Sequence, residues 1–220
     1  MMFKVQIYCI ALLMLAVGNL LADVFSFDQS IDGVSPSSGS PWATVSIYSV
    51  DSNTLNIELN PFNLDSDSYV RYWYLNFDYN LNVNQLKFKT VGGDSNTEPS
   101  VSTGYNSFYV SNGGLYDIRV HFPEAKQQRF YGGDSVVLEV TAANPIDASM
   151  FNFTSYSWDP DDRYYSALEA SGLGDKGNKK GTIASNTTAA IPEPSTYLIL
   201  GFFLAFAGLA GYRKRRAEAQ

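Results

Sequence analysis

An all-β fold, a single antiparallel β-sandwich of about eight or nine strands, is the class this sequence predicts, on three observations. Between residues 23 and about 170, apolar and polar residues alternate in short runs. Gly, Asn, Asp, Ser and Pro interrupt those runs roughly every 8 to 15 residues. No long helical periodicity appears outside the two chain ends. An aromatic share of 15%, with fifteen Tyr and fourteen Phe, supplies bulky surface for a packed interior, and 220 residues suit one core plus targeting segments.

Taken in order, Ala43, Val45 and Ile47 share one strand face opposite Thr44, Ser46 and Tyr48. After the turn Asp51-Ser52-Asn53, Leu55, Ile57 and Leu59 repeat the pattern, so the two runs predict a hairpin. Residues Tyr69 to Tyr79 read as one long strand with Arg71, Trp73, Leu75, Phe77 and Tyr79 on a single face. Tyr116, Ile118, Val120 and Phe122 oppose Asp117, Arg119 and His121 on another, and Val136, Leu138 and Val140 mark a third. Leu86 to Phe88, Phe108 to Val110 and Met150 to Phe153 complete the set. Gly92-Gly93-Asp94, Asn112-Gly113-Gly114 and Gly132-Gly133-Asp134 supply residues tolerant of positive φ and are hairpin candidates. From 171 to 190 the composition turns to Gly, Lys, Asn, Ser and Thr and predicts a flexible linker with an end-to-end span near 25 Å.

The ends read as addresses. Lys4, an uncharged run from Val5 to Ala22 and then Asp23 have the layout of a secretory signal peptide, residues 1–22, for removal by signal peptidase after Ala22. The single cysteine, Cys9, lies inside that segment, which leaves the exported body no disulfide, thiolate ligand or cysteine nucleophile. Residues 23 to 190 hold twenty Asp/Glu against ten Lys/Arg, a net of −10 that repels phosphate backbones and argues against nucleic acid as a partner. At the C-terminus, residues Ser195 to Tyr212 carry no charge and as a helix would rise about 27 Å, just enough to cross a hydrocarbon core. Arg213, Lys214, Arg215 and Arg216 follow as a cytoplasmic anchor. Before the helix, Pro192-Glu193-Pro194 presents a glutamate on a stiff extended backbone.

Pro-Glu-Pro, Ser195-Thr196, a short apolar helix and a terminal basic cluster, in that order over 191–216, resemble the PEP-CTERM sorting domain. A weaker likeness covers 153–174, where Tyr164-Tyr165-Ser166-Ala167-Leu168 resembles a stretch found upstream of such tags, with Glu169 standing where a histidine often follows. The resemblance implies an exosortase as partner, reading Pro192, Glu193 and Pro194 at the membrane. It also implies a destination at the cell surface or in extracellular material. It carries no chemistry for the chain itself.

The body shows no nucleophile elbow, and neither a catalytic site nor a bound cofactor is expected. His121, the one histidine, sits on a strand face with Asp117 and Arg119, the nearest approach to an acid–base set. Asp65-Ser66-Asp67 and Asp159-Pro160-Asp161-Asp162 place carboxylates in loops where a hard cation finds oxygen ligands, without the spacing of a known calcium loop. Trp42, Trp73 and Trp158 are candidate stacking platforms for sugar rings. The reading is therefore a structural or polysaccharide-binding surface protein rather than an enzyme. The alternatives are a secreted carbohydrate-active hydrolase and a plain single-span anchored protein.

Overall fold

In the computed structural model, residues 22–93, 97–174 and 176–190 are described, and they form thirteen strands. The signal peptide, the apolar segment 195–212, Pro192-Glu193-Pro194 and Arg213 to Arg216 lie outside the described residues. Among the described residues no helix is long and apolar enough to cross a membrane.

The strands are β1 (Ala22–Phe27), β2 (Gln29–Gly33), β3 (Ala43–Asp51), β4 (Thr54–Asn60), β5 (Tyr69–Leu75), β6 (Lys87–Gly93) and β7 (Ser100–Val110). After them come β8 (Gly114–His121), β9 (Phe130–Tyr131), β10 (Val136–Thr141), β11 (Ser166–Leu173), β12 (Lys179–Ser185) and β13 (Thr188–Ala190). One sheet runs β13-β1-β3-β4-β10-β6; the other runs β2-β12-β11-β5-β8-β7, with β9 pairing β5 beside that path. Every pairing is antiparallel. The two-sheet antiparallel sandwich is thus the observed architecture.

Alternation drives it. Ala43, Val45 and Ile47 are wholly buried, as are Leu55, Ile57 and Leu59 across the β3–β4 hairpin and Val136 and Val140 on β10. They meet Val70, Trp73, Ile118, Val120 and Leu168 from the facing sheet, joined by Phe25 and Phe27 of β1. Aromatic geometry ties the layers where the Phe27 and Trp73 rings meet edge to face at 4.9 Å, and within the second sheet Phe122 stacks on Phe130 at 4.3 Å.

Several sequence expectations need correction. Residues 171–190 are not a linker: β11 runs to Leu173, β12 lies between β11 and β2, and β13 extends the other sheet. The paired strands of the body therefore run on to Ala190, past 170. Small residues hid this, because β12 is an interior strand whose buried positions are Gly181, Thr182, Ile183, Ala184 and Ser185, with little apolar alternation to read. The strand starting at Tyr69 ends at Leu75, and Tyr79 is exposed. A register shift opposite Glu169 and Ala170 leaves Arg71 without a partner on β11 and turns it outward while Val70 enters the core. Ala148–Phe151 form a 3₁₀ turn where a strand was expected from Met150, capped by the Asp147 side chain, which accepts from Ser149 N–H. Of the three glycine turns, Asn112-Gly113-Gly114 alone closes a hairpin, β7–β8. Gly92 and Gly93 pair within β6 against β10, and Gly132-Gly133 carries the chain from β9 in one sheet to β10 in the other.

Candidate functional site

The three tryptophans have separate fates. Trp73 is fully buried, its indole N–H donating to Ser166 Oγ at 3.2 Å, and Trp42 is buried with its N–H on the Ser38 carbonyl at 2.8 Å. Both are core. Trp158 is 90% exposed, and the Tyr156 ring stands edge-on to it at 5.8 Å. An indole held in water is the feature of this surface that asks for a ligand, because its apolar faces lose solvent contact at little entropic cost when a flat apolar partner arrives.

The backbone around Trp158 is held on both sides. Leu115 N–H donates to Tyr156 O at 2.9 Å and Tyr156 N–H returns a bond to Leu115 O at 3.0 Å, so this residue acts as an extra strand beside β8. Ser155 N–H bonds Tyr164 O at 2.8 Å while Tyr164 N–H bonds Ser155 Oγ at 3.1 Å, which closes the loop at its base. The Arg163 guanidinium donates twice to the Ser157 carbonyl, at 3.1 and 2.8 Å. Asp159 Oδ1 accepts from Asp161 N–H at 3.0 Å and caps the short 3₁₀ turn Pro160–Asp162. Gly114 is what lets the loop lie so close. Its φ is +80°, and a Cβ there would fall 2.7 Å from Tyr156 O.

Across this end of the sheet, Tyr109 of β7 is opposite Leu115 of β8, and Leu115 is opposite Tyr156. Cross-strand partners share a face, so Tyr109, Leu115 and Tyr156 form a row, with Tyr109 71% and Tyr156 45% exposed. Two interstrand steps separate the tyrosines by about 10 Å, the scale of two sugar rings. Trp158 adjoins the row through its ring contact with Tyr156. The alternating sequence did not reveal it, since Tyr109 and Tyr156 are far apart in the chain and meet only through Leu115.

The remaining candidates do not assemble into a catalytic set. His121 stacks on Tyr72 at 4.9 Å. The Arg119 guanidinium lies over the Phe108 ring at 4.8 Å and over Tyr72 at 5.4 Å. Asp117 is buried and occupied: Oδ2 accepts from Phe77 N–H at 3.1 Å and Oδ1 from Asn106 N–H at 2.7 Å, which fixes Asn106 at its positive φ of 46° in the irregular part of β7. Burial raises the Asp117 pKa, and those two amides oppose the rise. In the loops, Asp65 Oδ1 accepts from Ser37 N–H at 2.8 Å and from Ser37 Oγ at 2.5 Å. Burial pushes the Asp65 pKa up, but the hydrogen bonds from Ser37 and its neighbours outweigh it and hold the group below the usual carboxylate range. Among the described residues no three His, Cys, Asp or Glu side chains converge as a metal site would require.

No family model matches the chain, and no curated protein matches it. Among solved structures it is similar to a biomass sensing module from Rsgi-like proteins of Clostridium thermocellum, described as resembling the family 3 carbohydrate-binding module of the cellulosome. The identity is 13%, the alignment covers 80% of this chain and 100% of that one, and the TM-score is 0.29. Similarity at that level carries no argument about fold or ligand here.

Proposed function

We propose that this is an exported surface protein whose sandwich body binds extracellular polysaccharide without cleaving it, through the row Tyr109, Tyr156 and Trp158. The observation that carries the reading is Trp158, 90% exposed on a loop that hydrogen bonds hold at its base and tip. A preformed aromatic face binds sugar C–H surfaces without first ordering itself. His121 stacked on Tyr72 and Asp117 committed to two backbone amides speak for binding rather than hydrolysis.

Delivery rests on the sequence. Pro192-Glu193-Pro194, the apolar segment 195–212 and Arg213 to Arg216 support recognition by an exosortase, after export and while the helix holds the chain in the inner membrane. Mass spectrometry of the mature protein from a strain with an active exosortase tests this: a chain ending near Pro192 is the expected product, and one intact through Gln220 leaves a single-span anchor instead.

For the body, retention on a panel of insoluble and soluble neutral polysaccharides is the direct measurement. Trp158→Ala should weaken retention by about tenfold, as loss of a central aromatic contact does, and Tyr156→Ala by somewhat less. Unchanged retention in both variants would remove this row from the function.

A further inference from the structure

On the flank where the β11–β12 hairpin meets β5 and β9, two concavities adjoin through Arg71 and Lys180. The larger, about 490 Å³, is lined by Arg71, Lys126, Arg129, Lys176, Lys179 and Lys180. These are six of the ten Lys and Arg that residues 23–190 contain, gathered on a body of net charge −10. Scattered cations on an acidic protein serve solubility; six in one hollow create a local positive potential inside a negative field, and that draws anions to one place.

The hollow has more than charge. Tyr69 and Tyr131 pack edge to face at 6.2 Å, the Arg129 guanidinium sits 4.0 Å from the Tyr69 ring centre, and Arg129 Nε donates to Glu124 O at 2.9 Å. Arg71 pairs with Glu124 at 2.8 Å. Asp67 and Glu124 supply carboxylate acceptors among the cations. Ser171 and Gly172 of β11 form the floor of the hollow. A built surface therefore offers cations, acceptors and aromatic edges side by side.

We infer that this groove is a second binding site, for a polysaccharide carrying carboxylates, that is, one containing uronic acids. Each part has a use for such a chain. Lysine and arginine neutralise the sugar carboxylates, Asp67 and Glu124 accept from hydroxyls, and the Tyr69–Tyr131 pair packs on C–H faces. A nucleic acid fits less well, because its backbone carries a charge about every 3.4 Å per strand, which sets phosphates against Asp67 and Glu124 and against the surrounding acidic surface. A uronate chain spaces its charges more widely and places neutral hydroxyls between them. The ligand class rests on the reading of the body as a polysaccharide binder; the groove itself is separate from the Trp158 row.

The test is calorimetric titration of the full-length protein in detergent with polygalacturonate, a soluble neutral β-glucan and duplex DNA, each at low and moderate salt. Lys179 and Lys180 are exposed, so Lys179→Ala/Lys180→Ala leaves the core untouched, and an unchanged urea midpoint verifies that. The expected result is polygalacturonate binding that falls about tenfold between 50 and 200 mM salt and about five- to tenfold in the double variant. Lys179→Arg/Lys180→Arg should restore it, and Trp158→Ala should leave it intact. Neutral glucan binding should show the reverse dependence, about tenfold weaker with Trp158→Ala and unchanged in the lysine variant, so failure of either site is seen without the other. Polygalacturonate affinity that is absent, or equal in the double variant, overturns the inference. DNA binding tighter than polygalacturonate at equal salt overturns it in favour of a nucleic-acid groove.

Discussion

Two residues do structural work that their sequence neighbourhoods conceal. Asp117 accepts from the backbone N–H groups of Phe77 and Asn106, so Asp117→Ala strands one buried and one half-buried donor and should cost about 2 kcal/mol in urea unfolding at neutral pH. Its pKa is raised in the fold, first by burial, so its ionised form is the disfavoured one. Its contribution to stability is therefore full below the ordinary carboxylate value near 4 and falls as pH rises through the raised value. Relative to Asp117→Asn, which cannot titrate there, the native protein should lose stability across that window; urea midpoints from pH 3 to 7 would show the trend, and the opposite slope would contradict it. Gly114→Ala is the second case. At a φ of +80° and 2.7 Å from Tyr156 O, the new methyl must push the loop off β8, costing about 1–3 kcal/mol and moving Tyr156 and Trp158 together. Neutral polysaccharide retention should fall in that variant even where the protein remains folded. At this scale the sequence was legible in part. Trp158 is a candidate stacking residue by type, but nothing in the chain separates it from Trp42 and Trp73, because exposure is decided by which strand lies opposite. Lys126, Arg129 and the 176–180 lysines lie some fifty residues apart in sequence, and only the folding of β9 against β5 gathers them.

Elements with large alternating residues were readable and elements built from small ones were not. The β3–β4 hairpin and β10 follow directly from Val, Ile and Leu at every second position, and the Asn112-Gly113-Gly114 turn supplies the backbone freedom its hairpin needs. From 171 onward the β11–β12 hairpin reads as spacer because Gly, Lys, Ala, Ser and Thr fill it, yet its strands occupy interior places between β2 and β5. The two readings make opposite forecasts for truncation. A chain ending at Gly172 removes only spacer by composition, but in the structure it removes β12 and β13 and strands β2 from its sheet, so it should fail to give a cooperative thermal transition. A chain ending at Thr187 removes β13 alone, three residues at a sheet edge, and should retain the transition with a loss of about 1–2 kcal/mol. Circular dichroism on both lengths checks the pair. Edge protection also belongs here: β6 carries Lys87 and Lys89 along its exposed side, charges that discourage another strand from adding on.

As a whole, the molecule separates a neutral aromatic row from a cationic groove on an otherwise acidic sandwich. Segregation of charge is what the net value of −7 conceals, since composition reports a sum and not a map. The last strand adds a different property. β13 pairs with β1, Ala190 opposite Asp23, and whatever pull reaches the body from residue 191 onward must pass through those three paired residues first. A load applied there, with the body held at its other surfaces, meets a short edge strand before any interior one. In a single-molecule stretching experiment the first event should be a small low-force step on the order of 10 Å, the length of three extended residues, well ahead of the main rupture. The final strand would then act as a mechanical fuse, yielding under tension and re-forming when it slackens, while the rest of the sandwich stays intact.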